Sequence, residues 1–205
     1  MSILPKISTF INCISTEELA NDRKELLQVL IDYIIKKQNS EDGVNLNFIC
    51  THNSRRSQFA QVWATIAAMH FGIDVSCYSG GTEVTAFNKR AVSSLIRSGY
   101  KITQEGNENP VYSLIYDENA DAIIAYSKLF DARVNPTKDF AAVMTCSDAD
   151  ANCPFIAGAE KRIPLHYEDP KDFDDLAEEE MKYDERSHQI ASEMFYVFSQ
   201  INYNK

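Results

Sequence analysis

One stretch restricts the fold more than any other. Val44, Leu46 and Phe48 alternate, Ile49 extends the apolar run, and the run stops at Cys50. After five intervening residues, Arg56-Ser57 opens a second pattern in which Phe59, Val62, Trp63, Ile66 and Ala67 recur at helical spacing. Alternation marks a strand and the longer period a helix, so residues 44–70 read as strand, tight loop, helix. A loop of that kind aims successive backbone N–H groups and a helix N-terminus at one point, which suits a tetrahedral oxyanion. The same partial positive charge favours the thiolate of Cys50, the nucleophilic form. Arg56 offers a planar fork for two anion oxygens, and Asn53 tolerates the left-handed backbone such a loop needs. Ser57 can donate to the thiolate or cap the helix. Thr51, His52, Asn53, Ser54, Arg55, Arg56 and Ser57 are therefore the candidate oxyanion-binding residues, with Cys50 the candidate nucleophile. The bland alternative is a buried structural cysteine near a surface arginine; the strand, serine and helix in context weigh against it.

The remaining chain supplies further strands and helices in alternation. Ser15 to Glu18 reads as a capping box, followed by an amphipathic helix over about 16–37. Asn39 to Gly43 is a turn cluster and the expected boundary. A second strand is expected over Ile73–Tyr78, a turn at Ser79–Thr82 and a helix over Asn88–Arg97. Val111–Tyr116 and Ala122–Tyr126 read as a hairpin. Phe140 to Thr145 is a buried strand that ends at Cys146, residues 147–160 read as a loop, Ile163–Tyr167 as extended chain, and about Asp184–Asn202 as the last helix. The fold class is α/β: a three-layer α/β/α arrangement with a central, mainly parallel four-stranded sheet, an N-terminal helix and an inserted β-hairpin. The expected organisation is an N-terminal helical extension over 1–43 and a main domain over 44–205, interrupted by an insertion at about 107–137.

Net charge is −10 over 205 residues, which disfavours a nucleic-acid backbone or an anionic membrane as partner. An oxyanion site in such a chain must be local, built from oriented dipoles and Arg56. No apolar run reaches membrane-span length, and the N-terminus lacks a signal-peptide pattern, so a cytoplasmic location is expected. In a reducing compartment the five cysteines, at 13, 50, 77, 146 and 153, point to catalysis, redox chemistry or simple burial. Cys13 and Cys77 read as small buried residues.

Cys146 and Cys153 are seven residues apart. They can pair if the segment bends until the α-carbons come within about 4.4–6.8 Å. Structural zinc is a rival reading, but the spacing is not that of a zinc knuckle and the chain has only four histidines; no metal is expected. Two unrelated loop cysteines are the bland reading. Placement favours redox, because Cys146 closes a strand as Cys50 does, and strand C-termini in open α/β sheets share one crevice. Asp169, followed by Pro170, is a candidate general acid for an oxyanion leaving group, although the pair is also an ordinary turn.

Together these residues resemble a known group. The Cys50-x5-Arg56-Ser57 loop and the late Asp169-Pro170 resemble the low-molecular-weight protein tyrosine phosphatase superfamily. The segment Val143 to Pro154, with Lys161-Arg162 following, is similar to the thioredoxin-coupled arsenate reductases within it. The resemblance spans roughly 44–100 and 141–202. His52 stands where the family usually has glycine. Gln61 stands where several reductases carry a glutamate implicated in binding potassium, so that ion is not carried over. The resemblance implies an arsenate reductase. Cys50 attacks arsenic, Arg56 and the loop stabilise the anion, Asp169 protonates the departing oxygen, and Cys146 and Cys153 relay a disulfide outward to thioredoxin. The reductant is then a protein, with no bound cofactor. The alternative is a phosphatase that hydrolyses a phosphomonoester through a cysteinyl-phosphate. A third reading is a non-catalytic oxyanion-binding or redox-sensing module.

Overall fold

The computed structural model describes residues 3–15, 19–38, 43–153 and 155–202. The expected capping box through Glu18, the turn at 39–42 and Pro154 lie outside the described residues. Helices α1 (Pro5–Asn12) and α2 (Asn21–Gln38) precede strand β1 (Asn45–Cys50) and helix α3 (Arg56–His70). Strand β2 (Ser76–Gly81), helix α4 (Lys89–Arg97) and strands β3 (Lys101–Glu105), β4 (Val111–Ile115) and β5 (Ile123–Ala125) follow. Then come β6 (Phe140–Met144), the short helix α5 (Ser147–Asn152), β7 (Ala159–Pro164), a 3-10 turn over Pro170–Phe173 and the closing helix α6 (Glu179–Asn202).

Four strands form a parallel sheet in the order β2-β1-β6-β7. The two central strands are buried on both faces, the burial that all-parallel sheets require and the reason they read as apolar runs. On one face Leu46 and Phe48 of β1 and Val143 of β6 join Phe59, Val62, Trp63 and Ile66 of α3, Ile190, Met194 and Phe198 of α6, and Leu27, Leu30 and Ile34 of α2. Trp63 is fully buried, and its indole N–H donates to Ser187 Oγ at 2.9 Å, which satisfies the one polar atom the ring carries. Phe10 of α1 stacks on it at 4.7 Å between centroids. The other face is thinner: Ile49, Phe140, Ala142 and Met144 meet Cys146 and Ala149 around α5, together with Ile156 and Phe130.

Several boundaries differ from the sequence expectation, each for a physical reason. Strand β2 begins three residues later than Ile73 and takes in Ser79, Gly80 and Gly81, which read as a turn. Ile73 instead closes the end of α3, its N–H reaching Ala68 O at 2.8 Å, with Gly72 at φ 65°. The two glycines are there for close approach: a Cβ on Gly80 would lie 2.2 Å from Phe130 Cα, and one on Gly81 would lie 2.6 Å from Thr51 O. The expected hairpin is part of a three-stranded antiparallel sheet, because β3 pairs with β4 along its whole length. Residues 147–160 are not all loop. Cys146 caps α5 by accepting from Ala149 N at 3.4 Å, and Asp148 and Asp150 sit in its first turn, where the helix dipole favours them. Helix α2 begins at Asn21 and α6 at Glu179, and α1 occupies a segment with no decisive pattern.

Candidate active site

Strand β1 delivers Cys50 to the carboxyl edge of the sheet, and α3 starts six residues later at Arg56. Cys50 is buried, with Sγ 3.0 Å from Ser57 Oγ. Asn53 Nδ2 donates to the same hydroxyl at 2.8 Å, and Lys128 N donates to Asn53 Oδ1 at 3.0 Å. Because Ser57 Oγ accepts from Asn53, its own hydrogen is free to point at the sulfur. Three donors thus line up in one direction, from the 126–128 segment through Asn53 and Ser57 to Cys50. Asn53 adopts φ 46°, the left-handed region its type tolerates.

The loop carbonyls are turned outward and held there. Thr82 N reaches Cys50 O at 3.3 Å, Glu83 N reaches Thr51 O at 2.9 Å, and Asn88 N reaches Ser54 O at 2.9 Å. Ser127 Oγ donates to His52 O at 2.7 Å and Gln58 Nε2 to Asn53 O at 2.9 Å. Those bonds satisfy the loop oxygens and leave its amides as the groups open to a ligand. Among the described residues, no N–H from Thr51 to Arg56 donates to another group of the protein. That arrangement is a nest of donors beside a sulfur.

The side chains of the loop divide differently from the sequence expectation. Ser54 Oγ points away and donates to Ala86 O at 2.7 Å. Arg55 also leaves the cradle: Nε donates to Tyr183 OH at 2.9 Å, and its other nitrogens lie 3.8 Å from Asp169 Oδ1 and 3.8 Å from Asp174 Oδ2. Burial, and then a hydrogen bond to Asp174, hold the Tyr183 phenol above its ordinary range. These two positions can serve an anion with backbone only. His52 sits at the rim with Nε2 3.2 Å from Glu83 Oε2. Arg56 does bring a fork to the site, but here Nη1 donates to Tyr167 O at 3.0 Å and Nη2 to Asp169 Oδ2 at 2.7 Å. Its buried Nε has no partner among the described residues. Asp169 also accepts from Lys171 N at 3.1 Å, which caps the 3-10 turn.

Cys146 lies two residues past the end of β6, the neighbour of β1, and is fully buried in the cluster that contains Cys50. Its Sγ lies 3.5 Å from Thr51 Oγ1. Cys153 stands at the other end of α5, partly exposed, with Sγ donating to Phe155 O at 3.7 Å. The structure therefore gathers Cys50, Arg56, Asp169 and Cys146 at one sheet edge and sets Cys153 a helix away. Of the other thiols, Cys13 is exposed rather than buried, and burial pushes Cys77 up to about 12 against an opposing hydrogen bond from Thr65.

No protein-family model matches the chain. It is 30% identical over 129 residues to an arsenate reductase of Staphylococcus epidermidis, covering 63% of this chain and 80% of that protein. The chain belongs to the arsenate reductase family. Another member, from Bacillus licheniformis, is 26% identical over 153 residues, 75% of this chain and 93% of the relative. A low-molecular-weight phosphotyrosine phosphatase from Vibrio cholerae shares the fold at a TM-score of 0.53 and 13% identity, covering 80% of this chain and 98% of that one.

This member of the arsenate reductase family adds residues around its loop that motif reading did not reach. Lys128 supports Asn53 from a segment 75 residues away. Glu193 of α6 accepts from Tyr167 OH at 2.7 Å and pairs with Arg23 of α2 at 2.7 Å, with Arg23 lying over the Tyr167 ring at 4.7 Å. Burial and the Glu193 charge hold the Tyr167 phenol well above its ordinary range. A lysine inside the apolar run Ala125 to Phe130 was the available signal for the first; a glutamate on the apolar face of α6 was the signal for the second. Among the described residues, no group of three or more His, Cys, Asp or Glu is placed to hold a metal ion, and no helix is long and apolar enough to cross a membrane.

Proposed function

We propose that the protein is an enzyme that reduces arsenate to arsenite with Cys50 as nucleophile and a cysteine relay that ends on thioredoxin. The Cys50 thiolate attacks the arsenic of an arsenate held by the amides of Thr51 to Ser57, and an As–O bond breaks as an S–As bond forms. Arg56 moves its fork from Asp169 and Tyr167 to the anion oxygens, stabilising the charge that develops there. Asp169, released from that pair, takes up a proton from solvent and gives it to the departing oxygen, which leaves as water. Cys146 thiolate then attacks Cys50 sulfur. The S–As electron pair goes to arsenic, arsenite departs, and a Cys50–Cys146 disulfide remains. Cys153 attacks Cys146, restores the Cys50 thiolate, and leaves a Cys146–Cys153 disulfide for a dithiol protein to reduce.

The observation that carries this reading is the second sulfur. Hydrolysis of a phosphoester through Cys50 needs only the loop, Arg56 and Asp169; a fully buried cysteine 3.5 Å from Thr51 Oγ1 takes no part in that chemistry and could serve it only by protecting Cys50 from overoxidation. The relay sets one physical requirement. Cys146 and Cys153 flank α5, and seven residues of helix at about 1.5 Å each separate them by roughly 10 Å, against the roughly 4.4–6.8 Å between α-carbons of a disulfide. Helix α5 must therefore unwind for the last exchange.

Two assays on wild type, Cys50→Ser and Cys146→Ser test the reading. Thioredoxin-linked arsenate turnover that either substitution abolishes supports it. Aryl-phosphate turnover lost only with Cys50→Ser, and no arsenate turnover, would make the protein a phosphatase. Phosphate binding without either turnover would make it a sensor.

A further inference from the structure

Lys128 is a cation in the wrong place for folding. It is only 7% exposed, and its Nζ has one hydroxyl within reach, Ser79 Oγ at 3.5 Å, and the Tyr126 ring at 4.8 Å. Ser79 gives its own hydrogen to Gln61 Oε1 at 2.6 Å, so a lone pair faces the ammonium. The groups that meet it here carry no charge: the amides Gln58 and Gln61 from α3, Ser79 from β2, and the phenol Tyr126 from the segment after β5. Among the described residues, no carboxylate pairs with Lys128. Burial alone lowers its pKa to about 8, which leaves it mostly charged at pH 7.

A buried, unpaired charge destabilises the folded chain, and an apolar side chain of similar length would pack there more favourably. The charge must therefore act on something other than folding, and its connections say what. The Lys128 main chain is bonded on both sides to the loop and its neighbour: N donates to Asn53 Oδ1 at 3.0 Å, and O accepts from Gly81 N at 2.8 Å. The ammonium meets Ser79, whose hydroxyl also lies 3.5 Å from Gln58 Oε1, and Gln58 Nε2 holds Asn53 O at 2.9 Å. Two of these routes, one from the Lys128 N–H and one through Ser79 and Gln58, lead to Asn53 and through it to Ser57 and Cys50. Charges act further through a low-dielectric core than through water, and a chain of net charge −10 needs a local positive potential to hold an anion.

We propose that Lys128 is a built-in countercharge for the loop at Cys50: a positioning residue that never touches the anion, but fixes Asn53 with its backbone and strengthens oxyanion binding with its ammonium. The inference rests on the loop being an oxyanion site, not on which reaction follows. The test is calorimetric titration of the full chain with inorganic phosphate at pH 7, alongside urea denaturation. The proteins compared are wild type, Lys128→Met, Lys128→Arg, and Lys128→Gln in case the methionine packs badly. Losing the charge is expected to weaken phosphate binding roughly ten-fold while resistance to urea stays the same or rises; Lys128→Arg is expected to retain binding. A merely structural lysine would lose stability and binding together. Neutral variants that bind phosphate within two-fold of wild type, or that lose binding only in step with stability, overturn the role of Lys128. A wild type that binds no phosphate overturns the anion site itself.

Discussion

If α5 must unwind for the relay to finish, whatever holds α5 wound sets the rate of that step. Asp150 is the main tie. Its carboxylate accepts from Arg162 Nε at 2.7 Å and meets His166 Nε2 at 2.9 Å, and Arg162 also donates to the carbonyls of Asp150 and Cys153. These are charge-assisted contacts, but the side chains of Asp150, Arg162 and His166 are 22%, 29% and 39% exposed. After discounting for solvent, the carboxylate contributes about 1–2 kcal/mol to the wound form. Asp150→Ala should therefore raise the unwound population roughly 5–30-fold while leaving Cys50, Arg56 and Asp169 in place. The assay is the rate at which Cys146 pairs with Cys153 under excess small-molecule disulfide, read by alkylation and peptide mapping, together with amide exchange over 147–153. Faster pairing and faster exchange at Ala149 and Cys153, whose amides hold the helix turn, are expected. If the variant exchanges faster but pairs no faster, or if wild type forms the disulfide with those amides still protected, unwinding is not the gate and the geometric argument fails.

Lys128 carries a pH signature. Its folded pKa of about 8 lies below its ordinary 10.5, so between those values the unfolded chain binds more protons and wild-type stability rises with pH. The penalty at pH 7 is roughly 3 kcal/mol; Lys128→Met should gain about that much at pH 7 and lose the advantage by pH 10.5, and an equal advantage at both in urea unfolding would refute the assignment. Arg56→Lys keeps a charge but cannot hold Tyr167 O and Asp169, or two anion oxygens, with one fork. A loss on the order of a hundred-fold in kcat/KM is expected, and an unimpaired enzyme would remove the fork from the reading. Glu193→Gln strips the buried partner from Arg23; a loss of roughly 3–5 kcal/mol in urea unfolding is expected, and a change within 1 kcal/mol would show that the pair adds little.

What was legible followed from how local the signal is. The segment from β1 through the loop to α3 could be read because its alternation, its cysteine and its helical period all lie within 27 residues, 44 to 70. Glycine misled at β2, since Gly80 and Gly81 serve close approach to Phe130 and Thr51 rather than a turn. Strand β3 hid because it is a mostly exposed edge with polar residues at Lys101, Thr103, Gln104 and Glu105. Helix α5 hid because its cap is a cysteine, outside the residue types that announce a helix start. The supports of the loop were harder still. Lys128 reaches Asn53 across 75 residues, Arg56 reaches Tyr167 across 111, and Arg23 reaches Glu193 across 170. No local pattern encodes contacts at that range, because they exist only once the sheet order is fixed.

That order explains why the two sulfurs meet. β1 and β6 are adjacent and parallel, in register Ile49 to Met144, and both end at the same edge with a cysteine within two residues. Thr145 pins the register with two bonds to Ile49 O, from N at 2.7 Å and Oγ1 at 2.9 Å. A slip of one residue would turn Cys146 to the opposite face, so the hydroxyl of Thr145 bears on the chemistry without touching it. The same edge receives the Asp169 segment, where Leu165 N meets Met144 O at 2.9 Å and Tyr167 N meets Thr145 O at 3.1 Å. Tyr167 is then tied through Glu193 to Arg23, which makes the N-terminal helices part of what positions Asp169. Removing them would take Leu27, Leu30 and Ile34 out of the core, uncover the faces of α6 and β7 on which α2 packs, and strip the cation from a fully buried carboxylate one hydrogen bond from Tyr167 in the segment that carries Asp169. The appendage and the site are thus one mechanical unit, and a shortened chain that kept its fold would be expected to lose the position of Asp169 before it lost Cys50.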